Sequence, residues 1–167
     1  RVCAECMELA GADRFVTMDL HAQQLQGFFK NPMDHLYAQP MLKEVIARVG
    51  TENMVVVSPD AGYAKQARKF ATSLGLPIAI GDKTRSDHSE NAEVLEIIGN
   101  VEGKNCLIVD DFTISGGTLI NLAKGLKARG ALDITAMLSH NIISPRGVEK
   151  LNASPIKTIY STDTVYN

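Results

Sequence analysis

Short apolar runs alternate along this chain with segments whose apolar residues recur at helical spacing. The runs are rich in Val and Ile and have the length of β-strands. Gly50 and Gly130 follow two of the helical segments and act as stop signals. The predicted strands span 14–20, 54–58, 77–80, 106–109, 134–139 and 156–160, and the predicted helices span 41–49, 64–74 and 118–129. The segment 92–98 fits both states, and we favour a strand. This alternation predicts an α/β fold with a mainly parallel sheet flanked by helices.

Size and charge fit one soluble domain covering residues 1–167. The chain has 45% hydrophobic residues and a formal net charge of −2, which is ordinary for a globular protein. No apolar stretch has membrane-spanning length, and no basic run suits a nucleic-acid backbone. Cys3 and Cys6 have Cys-x-x-Cys spacing, but no second ligand pair accompanies them, so we favour free thiols on an amphipathic helix over zinc.

The segment CLIVDDFTISGGT, residues 106–118, carries the clearest chemical signal. An apolar strand ends at Asp110 and Asp111, and a glycine-rich turn then opens a helix. Ligands of open α/β sheets bind at the carboxyl ends of strands, where two carboxylates suit sugar hydroxyls or a metal ion. The turn residues Ser115, Gly116, Gly117 and Thr118 are predicted to offer backbone N–H groups to a phosphate. The simpler alternative is a polar strand cap followed by a structural turn.

Neither common nucleotide-binding motif fits this segment, since it lacks both the Gly-Lys-Ser/Thr of a Walker loop and G-x-G-x-x-G. It resembles the signature of proteins that bind phosphoribosyl pyrophosphate. DLHAQQLQGFF (19–29) and the following NPMDHLYAQP resemble ribose-phosphate pyrophosphokinases more narrowly. VVVSPDAGYAKQARKFA (55–71), DKTR (82–85) and STDT (161–164) continue that resemblance in the same order.

The resemblance implies a type I phosphoribosyltransferase-like domain that corresponds to the C-terminal half of these enzymes. It begins at what matches the linker into that half, so we expect the N-terminal half, which completes the ATP site, to be absent from this chain. The implied activity transfers the β,γ-diphosphate of ATP to ribose 5-phosphate, with Mg²⁺ as cofactor. A cytoplasmic homo-oligomer, a hexamer or a dimer, is expected.

The resemblance also assigns roles to individual residues. Asp110 and Asp111 would hold the ribose hydroxyls, directly or through a metal, and the 115–118 turn would bind the 5-phosphate. His21 and Asp60 would position magnesium and ATP, which makes His21 both a catalytic and a metal-site candidate. Lys83 and Arg85 would be catalytic, on a polar loop that closes over the phosphates; by composition alone, this stretch fits a solvated surface loop.

One position departs from the family pattern. Ile114 precedes Ser115 where most members have Asp-Thr, so a divergent enzyme is expected. A non-catalytic homologue that binds ribose phosphate or nucleotide and regulates an active partner remains an alternative. A phosphoribosyltransferase is a further one, although no base-binding hood segment is evident.

Overall fold

The computed structural model describes residues 1–85 and 93–166. Its strands are β1 (Phe15–Met18), β2 (Met33–Leu36), β3 (Met54–Ser58), β4 (Ile78–Arg85), β5 (Glu93–Ile98), β6 (Asn105–Thr113), β7 (Ile134–Asn141) and β8 (Thr158–Thr162). Its helices are α1 (Val2–Leu9), α2 (Gln39–Val49), α3 (Ala64–Leu74), α4 (Gly117–Ala128) and α5 (Pro145–Asn152), with a 3₁₀ helix at Gln23–Phe28. Within this part of the chain, no helix is both long and apolar enough to cross a membrane.

Six strands form one sheet in the order β5-β4-β3-β6-β7-β8. β4 and β5 pair antiparallel, whereas the other neighbouring strands of this sheet are parallel. β1 and β2 form a separate two-stranded parallel sheet. The predicted mainly parallel α/β fold is therefore confirmed.

The central strands are apolar on both faces because helices cover the sheet on each side. Val55 of β3 and Ile108 of β6 belong to a cluster with α4, whereas Val56 and Leu107 pack in a second cluster with residues of α2 and α3. Successive side chains of a strand point to opposite faces. Each central strand therefore contributes to both halves of the core, which explains its uninterrupted run of Val, Leu and Ile.

Several element boundaries differ from those predicted. β3 and α3 coincide with the predicted ranges, and the ambiguous 92–98 segment contains a strand, as we favoured. β2, α5 and the 3₁₀ helix were not predicted. The strand predicted at 106–109 continues to Thr113, because β6 pairs with β7 as far as Asn141. Asp110 and Asp111 thus lie within β6 rather than after it.

The strand predicted at 77–80 is also longer, which changes the setting of the two predicted cations. β4 continues to Arg85, because Lys83 pairs with Leu95 and Arg85 with Glu93 across the β4–β5 ladder. The backbone of both residues is therefore in a strand, and the expectation that they lie in an irregular loop was wrong. Their side chains fall outside what the structure describes, as do residues 86–92.

Candidate active site

The two aspartates of β6 lie beyond the level at which β3 ends. β3 stops at Ser58, whereas β6 continues alongside β7. The Asp110 carboxylate accepts a hydrogen bond from the Asp111 backbone N–H at 2.9 Å, and the Asp111 carboxylate accepts one from the Phe112 N–H at 2.8 Å. Local backbone donors therefore hold both side chains at the carboxyl edge of the sheet.

Burial makes the charge of this pair unfavourable. Asp111 is only 6% exposed. Burial, reinforced by the negative charge of Asp111, raises the pKa of Asp110 to about 7. Two partly buried carboxylates side by side repel each other, so the site favours a proton, a cation or hydroxyl donors between them.

His21 reaches this pair from a distant part of the chain. It lies just after β1, and its Nδ1 is 2.6 Å from Asp111 Oδ2, although the two residues are 90 positions apart. This hydrogen bond and the charge of Asp111 raise the pKa of His21. The ring packs edge-on against Phe112, with centroids 5.5 Å apart. The two segments that carry the strongest sequence motifs therefore meet here.

Asp60 occupies the turn after β3 and is exposed. Its Oδ1 accepts a hydrogen bond from the Tyr63 backbone N–H at 2.9 Å, just before α3 begins. The Ser58 hydroxyl donates to the Asp60 carbonyl oxygen at 2.8 Å. The negative charge of Asp60 also contributes to the raised pKa of His21. Asp60 is thus fixed on the same side of the sheet as His21.

The predicted residues His21, Asp60, Asp110 and Asp111 line one cleft of about 500 Å³. Sequence reasoning missed several other side chains in its wall. Asp19 and most of the others lie within the quoted motifs and could have been noticed there, whereas Leu42, Met137 and Ser139 lie outside them. The cleft is lined by Asp19, Leu20, His21, Gln23, Tyr37, Gln39, Leu42, Asp60, Gly62, Tyr63, Gln66, Lys69, Phe70, Val109, Asp110, Asp111, Met137 and Ser139.

The glycine turn follows β6 and begins α4. Gly116 has a φ of +72° and precedes the first helical residue, Gly117. Its N–H donates to the Thr113 hydroxyl at 3.2 Å, and the Gly117 N–H donates to the Ser115 hydroxyl at 3.3 Å. The expectation that the turn's amides are all free was therefore wrong for these two. Those of Thr118 and Leu119 lie in the first helical turn and have no intrahelical acceptor.

Helix α5 and its N-cap residue, Ser144, contact this turn. The Ser144 N–H donates to the Ile114 carbonyl oxygen at 2.9 Å. A Cβ atom added at Gly116 would lie 2.8 Å from Leu151 Cγ. The Ile114 side chain itself is 57% exposed. The backbone of the turn is therefore fixed, whereas the unusual isoleucine points away from the packed side.

The described ranges contain no group of three or more His, Cys, Asp or Glu side chains that could hold a metal ion by themselves. Magnesium is commonly held by only one or two carboxylates, with substrate phosphates and water completing its coordination. The donors around the cleft therefore suit a cation that arrives with phosphates.

A mainly parallel sheet that carries an acidic pair at its carboxyl edge, followed by a glycine turn and a helix, defines a domain of the phosphoribosyltransferase type. The chain belongs to the phosphoribosyl transferase domain family, whose family model matches residues 37–162. An orotate phosphoribosyltransferase from Aeropyrum pernix shares this fold, with a TM-score of 0.60 at 18% identity over 76% of this chain and 71% of that one.

More similar proteins identify a narrower group. The ribose-phosphate pyrophosphokinase of Chlorobaculum tepidum is 45% identical over 166 residues, which cover 99% of this chain and 51% of that protein. That of Ralstonia nicotianae is 43% identical, with coverage of 99% and 52%. The phosphoribosylpyrophosphate synthetase of Mycobacterium smegmatis superimposes with a TM-score of 0.91 at 37% identity, over 99% of this chain and 53% of that one. The resemblance inferred from the motifs is confirmed, and the chain spans about half the length of these relatives.

Proposed function

We propose that this protein is a ribose-phosphate diphosphokinase that makes phosphoribosyl pyrophosphate for nucleotide biosynthesis. In this reaction the C1 hydroxyl oxygen of ribose 5-phosphate attacks the β-phosphorus of ATP. The bond between that phosphorus and the α,β-bridging oxygen breaks, AMP leaves with the oxygen, and the hydroxyl proton is released. The products are phosphoribosyl pyrophosphate and AMP.

One observation carries the proposal. His21 Nδ1 lies 2.6 Å from Asp111 Oδ2, and both residues line the same cleft. The contact occurs in a chain that is 45% identical to a ribose-phosphate pyrophosphokinase over nearly the whole length of this chain. The acidic pair alone would suit any enzyme that binds phosphoribosyl pyrophosphate. Its contact with the histidine-bearing segment favours the synthetase reaction over a phosphoribosyltransferase.

The sugar phosphate would lie across the carboxyl end of β6. Asp110 and Asp111 would accept hydrogen bonds from the ribose 2- and 3-hydroxyls, or hold them through a metal. Ser115, Gly116, Gly117 and Thr118 would bind the 5-phosphate at the start of α4, where the helix dipole favours an anion. Because the Gly116 and Gly117 amides already bond to hydroxyls, a phosphate there would compete with Thr113 and Ser115.

Mg²⁺ fits the chemistry of the donor set. Burial and, after it, the negative charge of Asp111 raise the pKa of Asp110, and a divalent cation would offset both. His21 and Asp60 would hold the ion together with the ATP phosphates. When bound, magnesium would neutralise part of the charge on those phosphates.

Lys83 and Arg85 complete the proposed machinery as the cations that stabilise charge on the transferring group. ATP would require further residues from the part of the relatives that this chain does not span. A cytoplasmic homo-oligomer belongs to the same proposal. Size-exclusion chromatography with light scattering would determine the oligomeric state.

The experiment measures AMP release from Mg-ATP, with and without ribose 5-phosphate, using protein expressed from the complete reading frame. Sugar-dependent AMP formation is expected, and Asp111→Asn should reduce it strongly. Asp133→Asn is the matched control, because Asp133 is an exposed aspartate paired with Lys157 away from the cleft. Absence of AMP while ribose 5-phosphate still binds would replace the proposal with a regulatory homologue.

A further inference from the structure

Asp19, two residues before His21, has an unusual backbone conformation. Its φ is +40°, and in the described ranges only Asn53 shares a positive φ among non-glycine residues. Such conformations are uncommon for side chains with a Cβ, although Asp and Asn tolerate them best. They persist only where surrounding contacts hold them, and they often occur at functional sites.

The Asp19 carboxylate supplies such contacts. Its Oδ2 accepts hydrogen bonds from the Ala38 backbone N–H at 3.0 Å and from the Ser139 hydroxyl at 2.5 Å. Both donors are buried, with Ala38 fully covered and Ser139 only 3% exposed. Ala38 directly precedes α2, and Ser139 belongs to β7. The carboxylate therefore joins the end of β1 to two elements of the main domain.

The backbone of Asp19 is fixed as well. Its N–H donates to the Leu36 carbonyl oxygen at 2.9 Å, and its own carbonyl oxygen lies 3.4 Å from Nε2 of His140, the residue that follows Ser139. These bonds tie the residue to the end of β2 and to β7. Asp19 thus has little freedom to move relative to the sheet.

This attachment matters because β1 and β2 have no strand pairing with the six-stranded sheet. Strand hydrogen bonds therefore do not set where the loop after β1 lies relative to β6. Asp19 bonds to β7, the strand next to β6, and His21 follows two residues later. The short path from Ser139 through Asp19 to His21 spans the gap between the two sheets and ends at Asp111.

We infer that Asp19 is a positioning residue whose contacts with Ala38 and Ser139 hold His21 against Asp111. Its effect on turnover rests on the proposed function, whereas its effect on the His21–Asp111 contact does not. The carboxylate acts by accepting hydrogen bonds, so an amide oxygen could take its place. Asp19→Asn should therefore retain the arrangement, and Asp19→Ala should lose it.

A double-mutant cycle in the protein from the complete reading frame tests the effect on catalysis. Asp19→Ala is expected to lower kcat by about 10- to 100-fold with little change in the KM for ribose 5-phosphate. In a His21→Ala background the same substitution should cost less than about twofold, because residues that act through one another are non-additive. Losses that multiply independently would overturn the inference. Asn53→Ala is the control, since Asn53 shares the positive φ but bonds to Gly103 instead.

A spectroscopic measurement decides the question without reference to turnover. The hydrogen-bonded imidazole N–H of His21 should give a distinct ¹H–¹⁵N signal, assigned by its loss in His21→Gln. This signal should persist in Asp19→Asn and shift or vanish in folded Asp19→Ala. If Asp19→Ala does not fold, Ser139→Ala should shift it in the same direction. A signal that Ser139→Ala or folded Asp19→Ala leaves unchanged would refute the positioning role, whether or not the protein makes AMP.

Discussion

The His21 imidazole bonds to the Asp111 carboxylate, with Nδ1 and Oδ2 2.6 Å apart. The imidazole is 75% exposed, whereas the carboxylate is only 8% exposed. The contact therefore joins a solvent-facing group to a buried one. His21 is therefore accessible from the cleft, while Asp111 remains fixed in β6.

The stabilisation from this contact should depend on pH. Asp111 raises the pKa of His21, so the charged imidazole is favoured in the folded state. The contribution is fully present below the ordinary histidine pKa of about 6.5 and disappears as pH rises through the higher folded value. We expect His21→Gln to be less stable than the wild type by up to about 1 kcal/mol at pH 5.5, since solvent around the exposed imidazole screens the ion pair. Urea unfolding should show almost no difference at pH 9, and an equal difference at both pH values would contradict the assignment.

Asp110 should give a pH dependence of the same sign over a lower pH range. Its folded pKa of about 7 lies above the ordinary 3.8, so the folded state holds a proton that the unfolded chain releases. Stability therefore falls as pH rises from about 4 to 7. We expect Asp110→Asn to abolish this slope and to be more stable than the wild type at pH 8 by up to about 4 kcal/mol, although it should bind ribose 5-phosphate more weakly.

The same unfolding experiment, repeated with added Mg²⁺, tests whether a cation binds at the acidic pair. Added Mg²⁺ should stabilise the wild type at pH 8 and have a smaller effect on Asp110→Asn, because the variant has lost part of the charge that the ion would neutralise. As a control, Asp133→Asn should be no more stable than the wild type at pH 8, since Lys157 lowers the pKa of Asp133, and Mg²⁺ should stabilise it as much as it stabilises the wild type. A wild type that is insensitive to Mg²⁺ would argue against a cation at the acidic pair.

Local sequence patterns predicted elements whose formation depends on their own residues. The uninterrupted MVVVS run predicted both ends of β3 correctly. Helix α3 ends at the predicted residue, where Gly75 has a φ of +68°. The extension of β6 was missed because the adjacent Asp110 and Asp111 are of a residue type that is depleted in strands; pairing with β7 determines their conformation. In contrast, α5 was missed despite a usable signal, since Ser144 caps the helix and Pro145 occupies its first position.

Part of the cleft lining was predictable from the sequence, whereas its geometry was not. The motifs indicated His21, Asp60, Asp110 and Asp111 as candidates, and all four line one cleft. No local pattern predicts that a histidine will meet an aspartate 90 residues away. The His21–Asp111 contact depends on how the chain returns to the same edge of the sheet. The role of Thr113 as acceptor for the Gly116 N–H was missed although the two residues are only three positions apart.

Lys83→Ala should lower turnover by about 100-fold or more, as expected for loss of a group that stabilises transition-state charge. The backbone pairing of β4 with β5 does not require this side chain, so stability should change by less than about 0.5 kcal/mol. Lys124→Ala, an exposed lysine on α4, is the control and should retain full activity. Steady-state AMP release and thermal unfolding would measure both effects, and unchanged turnover in Lys83→Ala would remove this residue from the mechanism.

Gly116→Ala should disrupt the turn that is proposed to bind the 5-phosphate. The new Cβ would lie 2.8 Å from Leu151 Cγ, and the alanine backbone would have to adopt a φ of +72°. Both effects destabilise the folded state, and together we expect them to lower the free energy of unfolding by about 2 kcal/mol and to weaken binding of ribose 5-phosphate.

At Gly117 an added Cβ would meet only Ser115 Oγ, at 3.4 Å, with no unfavourable φ. Gly117→Ala is thus the matched control for folding. Chemical denaturation and isothermal titration with ribose 5-phosphate separate the two effects. If both variants lost stability equally, the close approach of Leu151 would not be what requires glycine at position 116.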